Sequence, residues 1–532
     1  MKKKNKTFEL SYLGIKQDEY AVVYHKMGDY SVTIAITNNI QKFSADETLY
    51  YQYHSTFSNI IKLLGEGYSI QMHDIFSEKE YTNASGTDFL SKEFFNHFKG
   101  RKYKTIHSYL TITKNVTRSA FFQYNSKEYK SFNSKIGKIL SILNQERFHA
   151  KALNVPELEL FIKRFLAMEF DKPEFSLQNF KVTNERIEFG EEVLRSVSLV
   201  DIDHVNMPVE IKPYSTLNIN SIFPVDLFSF LYEIPDCKAI IYHQYIQIPN
   251  QRKEIHKLEA KRKKHSGVPD PANDYAVEDI DNVLYTIART NDFLVYSHFN
   301  FLMYGFPDGV NTAINTLENK LFEHGIIPSH NDYNQKELYV STFPGHTWDL
   351  KNYNKFFTTT DVSLSLLYKE SLMETEDSDF QIYYTDRAGV PIAIDTSDLP
   401  METGRIVNRN KFVLGPSGSG KSFYMNTTIK QYFQQDTDVI LVDTGHSYKR
   451  LCEFFNGEYI TYSEDKPITM NPFLISRKEY NEEKREFIIG LTGLLWKGAD
   501  ATLTQLESSI LSSVVTSYYN KYFNITNEHK VF

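Results

Sequence analysis

Eight consecutive residues, Gly415, Pro416, Ser417, Gly418, Ser419, Gly420, Lys421 and Ser422, satisfy the pattern G-x-x-x-x-G-K-[ST] at every fixed position. The chemistry of that spacing is anion binding. Glycines let main-chain amides turn inward on a polyphosphate, and a helix that starts at the lysine adds the positive end of its dipole. Lys421 is expected to reach the β- and γ-phosphates of a bound nucleotide, and the Ser422 hydroxyl to ligate Mg²⁺.

The flanks are expected to position this loop. Lys411-Phe412-Val413-Leu414 reads as a short buried strand, and from Ser422 to Gln434 there is neither Gly nor Pro. Phe423, Ile429, Tyr432 and Phe433 could share one face of that helix. Asp438 to Val442 reads as a further buried strand ending in Asp443, with another at Tyr459 to Tyr462. The C-terminal end of a strand in an α/β sheet faces the ligand crevice. Asp443 is therefore either a carboxylate that orients attacking water or a cap leading into Thr444-Gly445. Hydrolysis needs a second carboxylate for the metal ion, and no other run of four apolar residues ending in an acid follows. The expectation is nucleotide binding by an incomplete motor core, with turnover by this chain alone in question.

Composition narrows the remaining classes. The chain has 532 residues, 41% hydrophobic and 24% charged, with a formal net charge of −8. That length suits several domains, and that charge gives the molecule as a whole no attraction to nucleic acid or anionic lipid. The stretch Arg252 to Lys264 has seven Lys and Arg residues without interleaved aromatics, and reads as a solvated helix face. Cys237 and Cys452 suit a reducing compartment. The 16 histidines show no metal-ligand spacing, so His243 and His346 read as ordinary core or surface residues. Met1 to Lys6 is basic, but no apolar segment follows it, and it reads as a solvated tail. No stretch has the apolar length that spans a bilayer.

Alternating runs at Tyr20–Tyr24 and Tyr30–Thr37, with Gly28-Asp29 between them, predict a hairpin. Helix and strand patterns then give the order β-β-α-β-α-β, a small α+β domain over residues 1–120. A mixed α+β region is expected over 121–375, with an amphipathic helix at Pro156–Met168 and a strand at Glu337–Thr342. A P-loop NTPase domain is expected over 376–532, ending in helices. Ser476 and Glu479 read as a capping box for the first of these. The second carries a stripe of Leu503, Leu506, Ile510, Val514 and Tyr518. The fold class is thus a mixed α+β region followed by a partial RecA-like α/β domain with a helical insertion.

Asn408 through Leu414, the loop to Ser422-Phe423, Leu441 through Tyr448, and Asn471-Pro472-Phe473 together resemble the TraG conjugation ATPases of Bacteroidetes conjugative transposons. These lie in the large, CagE/TrbE-like ATPase class of type IV secretion. Lys26-Met27-Gly28-Asp29, Phe343-Pro344-Gly345, Asp386-Arg387 and Ile394-Asp395 extend the likeness upstream. The resemblance implies a cytoplasmic motor at the inner membrane. It would be a homo-oligomer, often hexameric, working with other secretion components to drive pilus assembly or transfer of DNA and protein. It also implies ATP and Mg²⁺ at Gly415 to Ser422, with Asp443 as the carboxylate after the second strand. Members of that class continue to a magnesium-binding Asp-Glu strand and an arginine finger, which this sequence is expected to lack. Two other readings stay open: a non-hydrolysing assembly platform, and a P-loop ATPase of another DNA-processing class.

Overall fold

The computed structural model describes residues 9–42, 46–82, 89–116, 125–199, 214–215, 224–267, 270–330, 333–348, 350–386, 389–462, 471–498 and 502–525. The basic Met1–Lys6 and Arg387 of the Asp386-Arg387 pair lie outside the described residues. The chain divides into two compact units, Met1–Thr396 and Ser397–Phe532.

The first unit is built on a large antiparallel sheet. Its N-terminal strands are β1 (Tyr12–Gln17), β2 (Ala21–His25), β3 (Tyr30–Ile36), β4 (Ile40–Gln41), β5 (Tyr68–Glu80) and β6 (Lys102–Lys114). There follow β7 (Lys151–Ala152), β8 (Phe180–Val182), β9 (Ile187–Phe189), β10 (Glu192–Leu199), β11 (Tyr214–Ser215) and β12 (Pro224–Val225). The remaining strands are β13 (Ala239–Ile248), β14 (Leu294–Gly305), β15 (Ser329–His330), β16 (Phe356–Thr359), β17 (Glu370–Ser371), β18 (Ile382–Thr385) and β19 (Pro391–Ile394). The sheet order is β1-β2-β3-β6-β5-β13-β14-β10-β9-β8. The ladder β5–β13 runs from Tyr68↔Ile248 to Ser77↔Ala239, so strands from 1–120 and from 121–375 share one sheet.

Both faces of this sheet are covered, which is why its central strands carry few exposed residues. One face packs on the Thr48–Leu64, Ser126–Gln145 and Pro307–Glu323 helices through residues such as Phe57, Phe132, Ile136 and Leu317. The other packs on the Val155–Ala167 helix through Leu158, Phe161 and Phe165. That helix has Pro156 in its first turn, where a missing N–H costs nothing, and a capping box between Asn154 and Glu157.

The second face holds a row of buried imidazoles. His73 and His243 stack with ring centroids 5.1 Å apart, and His298 lies 6.1 Å beyond. The segment Ser341–His346 lies across them. His73 Nε2 donates to Thr342 O at 2.6 Å, and Gln71 accepts from the Gly345 amide at 2.7 Å. Glu337–Thr342, expected as a strand, is helical from Gln335 to Ser341. Its alternation gives way to local i,i+3 bonds, with the Ser341 and Thr342 hydroxyls capping onto Leu338 O and Tyr339 O.

The second unit is helical among its described residues. Lys421–Phe433, Lys449–Phe454, Glu482–Lys497 and Gln505–Tyr522 are helices, and no described residue is in a strand. The last two helices close on a small core of Ile475, Ile488, Ile489, Val515, Tyr519 and Tyr522. Ser476 and Glu479 do bond (Ser476 Oγ to Glu479 Oε2, 2.8 Å), but in a turn; the helix starts at Glu482, capped by Asn481. A reciprocal box occurs instead at Thr504 and Glu507. The stripe Leu506, Ile510, Val514 and Tyr518 is solvent-facing. This helix is apolar on two faces, and the one that docks is Val515, Tyr519 and Tyr522.

Candidate nucleotide-binding loop

Ser417 to Gly420 turn the chain after an irregular Gly415-Pro416, and the Lys421–Phe433 helix starts directly after them. Two glycines make this possible: Gly418 has φ +80° and Gly420, the N-cap, has φ +88°, values that side-chain-bearing residues avoid. A Cβ on Gly415 would overlap Ser419 Oγ. No side chain caps the helix, and its first intrahelical bond from this end runs from Tyr424 N to Gly420 O at 2.9 Å. The amides of Lys421, Ser422 and Phe423 therefore have no partner within the helix. Ser417, Ser419, Gly420 and Ser422 are exposed, while Lys421 is half-buried.

Lys421 Nζ folds back onto the loop, donating to Gly415 O at 2.8 Å and Pro416 O at 2.9 Å. The ammonium is held over the turn by carbonyls that an anion would displace. Lys411, in the lead-in to the loop, donates to Ser397 Oγ at 2.9 Å and also reaches the Tyr432 hydroxyl near the end of the helix.

Asp443 is fully exposed and anchors its own loop. Its carboxylate accepts from Gly445 N at 3.0 Å and Ser447 N at 2.6 Å. Those main-chain bonds, Gly445 first, hold its pKa below the ordinary carboxylate value. The loop is tied to the phosphate-loop helix by Asn426, whose amide donates to Ser422 O at 2.8 Å and Ser447 O at 3.4 Å. Asn426 was not singled out in the sequence, where nothing marks a mid-helix Asn as a bridge.

The two flanking strands do not form. Lys411–Leu414 and Asp438–Val442 have no ladder partner among the described residues, and Phe412 (88%), Ile440 (93%) and Val442 (97%) are open to solvent. Tyr459–Tyr462 is likewise not a strand. Strand identity is a property of pairing: an apolar run with no neighbour leaves its N–H and C=O groups to water whatever its propensity.

The donor set fits a polyphosphate with a hard cation: free first-turn amides, one ammonium, and the accessible Ser422 hydroxyl beside them. Glycine turns delivering a lysine and a serine to an uncapped helix start define a P-loop nucleotide-binding domain. Residues 381–532 match the family described as the TraG P-loop domain. No curated protein matches the chain.

Among the described residues no three His, Cys, Asp or Glu side chains are grouped to hold a metal ion. Cys237 is buried, and burial pushes its thiol up to about 12. Among the described residues no helix is long and apolar enough to cross a membrane.

Proposed function

We propose that the protein is the ATP-binding motor component of a conjugative type IV secretion system, coupling ATP to pilus assembly or to transfer of DNA or protein. The observation that carries this reading is the uncapped helix start behind Gly415–Gly420, with Lys421 poised over the turn, inside a segment of the TraG P-loop family. In this reading the loop amides and Lys421 bind the β- and γ-phosphates, and Ser422 ligates Mg²⁺. The bound ion neutralises phosphate charge. The chain's own work is to orient the phosphates and to exchange the Lys421–carbonyl bonds for Lys421–phosphate bonds. A homo-oligomer at the cytoplasmic side of the inner membrane, in contact with other secretion components, belongs to the same proposal.

A second reading is favoured by one observation. Both oxygens of Asp443 are engaged by its own loop amides, so this carboxylate is committed to structure rather than to water. On that ground the chain would bind nucleotide as an assembly platform without turning it over. Equilibrium binding of a fluorescent ATP analogue and phosphate release, measured separately on the full chain, decide between them. Binding lost in Lys421→Ala together with phosphate release supports the motor. Binding without release supports the platform, and no binding by the wild-type chain overturns both.

A further inference from the structure

The helices Gln251–His265 and Pro271–Thr290 pack on each other as a hairpin. Its root is fixed to β14. The Gln251 side chain donates to Leu294 O at 2.9 Å and accepts from Leu294 N at 2.8 Å, and buried Glu254 accepts from the Tyr296 hydroxyl at 3.0 Å. Farther out, Arg262 Nη2 donates to Asp281 Oδ2 at 2.9 Å and His265 Nδ1 to Asn273 Oδ1 at 2.6 Å. These two bonds set which residues of the helices lie level.

The first helix turns Ile255, Leu258 and Arg262 inward, at i, i+3 and i+7. Its opposite side carries Arg252, Lys253, Lys263 and Lys264 around an exposed Ala260. The two carboxylates of this helix are already engaged, Glu259 with His256 and Glu254 with Lys257. The four outward cations have no carboxylate partner among the described residues. Arg252 and Lys253 stand in the first turn, where the helix dipole disfavours positive charge, so local helix stability does not account for them.

The second helix is of the other sign. Asp274 and Glu278, one turn apart on the side away from buried Ile280, have no ion pair among the described residues. Beside them Tyr275 and Tyr285 are 70% and 68% exposed. Arg289, the one base in this helix, lies beyond Tyr285 at the root.

We propose that the basic side of this hairpin docks on the acidic, tyrosine-bearing side of the hairpin of a second copy of the chain. The proposal deepens the homo-oligomer of the reading above and rests on it. The two sides face away from each other, so the contact is heterologous and each copy offers a different side to each neighbour. With hairpins side by side, Lys263 and Lys264 meet Asp274 and Glu278 near the tip, and Lys253 lies over the Tyr285 ring nearer the root. Nucleic acid would meet the same cations but would leave the tyrosines unused. The basic side also has no aromatic residue on which a base could stack.

Sedimentation velocity of the full chain tests this with two charge-reversed variants. One carries Lys263→Glu with Lys264→Glu, the other Asp274→Lys with Glu278→Lys. Each should weaken self-association at least tenfold with the thermal transition retained, and high salt should weaken that of the wild type. Mixing the two variants, or placing all four substitutions in one chain, should restore association, because each basic side again meets an acidic one. Tyr285→Ala should weaken it at least threefold. A wild-type chain that stays monomeric overturns the homo-oligomer and this interface together. Association that neither reversal weakens, or that the mixture does not restore, overturns the interface and leaves the homo-oligomer standing. Binding of a labelled DNA duplex through Lys263 and Lys264, with self-association unchanged in their Glu variant, assigns the basic side to nucleic acid and overturns the proposal. If either double variant does not fold, the four-substitution chain and Tyr285→Ala decide.

Discussion

The Lys421 ammonium lies 2.8 Å from Gly415 O, so the cation that would meet phosphate closes the loop on itself when no anion is there. Its removal loses a charge-assisted bond to the ligand and a clasp on the turn. Lys421→Ala is expected to weaken Mg-nucleotide binding by roughly 10- to 100-fold, the range of a hydrogen bond to a charged group. Titration with a fluorescent nucleotide checks this, and an affinity within threefold of wild type would remove Lys421 from the site.

Asp443 holds its loop through Gly445 and Ser447. Asp443→Ala should speed exchange of those two amides while changing nucleotide affinity less than threefold. Hydrogen exchange with and without nucleotide separates this structural role from a direct one.

Gly345 sits at φ +71° with a prospective Cβ 2.5 Å from both His25 Nε2 and Ser31 Oγ. The left-handed conformation and the overlap act together. Gly345→Ala should destabilise the first unit by about 2–5 kcal/mol. Denaturant unfolding, followed by a probe in the sheet, measures it; a loss below 1 kcal/mol would contradict this packing.

The buried imidazoles set a pH dependence of definite sign. Burial lowers His73 and His298 to about 4 and lowers His243 as well. The unfolded chain therefore binds more protons as pH falls from about 6.5 to about 4, and stability present above 6.5 is lost across that window. Asp74 and Glu370, raised to about 7 chiefly by burial, act oppositely: the folded state keeps their protons, so their contribution falls as pH rises from about 4 to about 7. His73→Gln should flatten the acid loss by on the order of 3 kcal/mol, and Asp74→Asn should steepen it. Urea unfolding at pH 7 and pH 4.5 reads both, and the same slope in both variants would refute the assignment.

The sequence made the loop legible because glycine, lysine and serine act there through backbone geometry and local spacing, which need no distant partner. Gly418, Gly420 and the helix start at Lys421 follow from eight residues alone. Runs that depend on neighbours read less well. Val439-Ile440-Leu441-Val442 has every mark of a buried strand, yet these residues find no ladder, and propensity cannot supply one. Glu337–Thr342 alternates as a strand would and folds as a helix, because the hydroxyls of Ser341 and Thr342 satisfy carbonyls one turn back. The histidine row was invisible for a different reason: His73, His243 and His298 are far apart in sequence, and only the register of β5, β13 and β14 sets them side by side.

That register also governs how the chain can be divided. Severing it near residue 120 would strip β13 from β5 along ten rungs and bare the imidazole row at a raw, apolar seam. Such a fragment would be driven to self-associate or to swap strands with another copy. Pieces for biochemistry should instead be cut beside Thr396, where the chain divides into its two compact units.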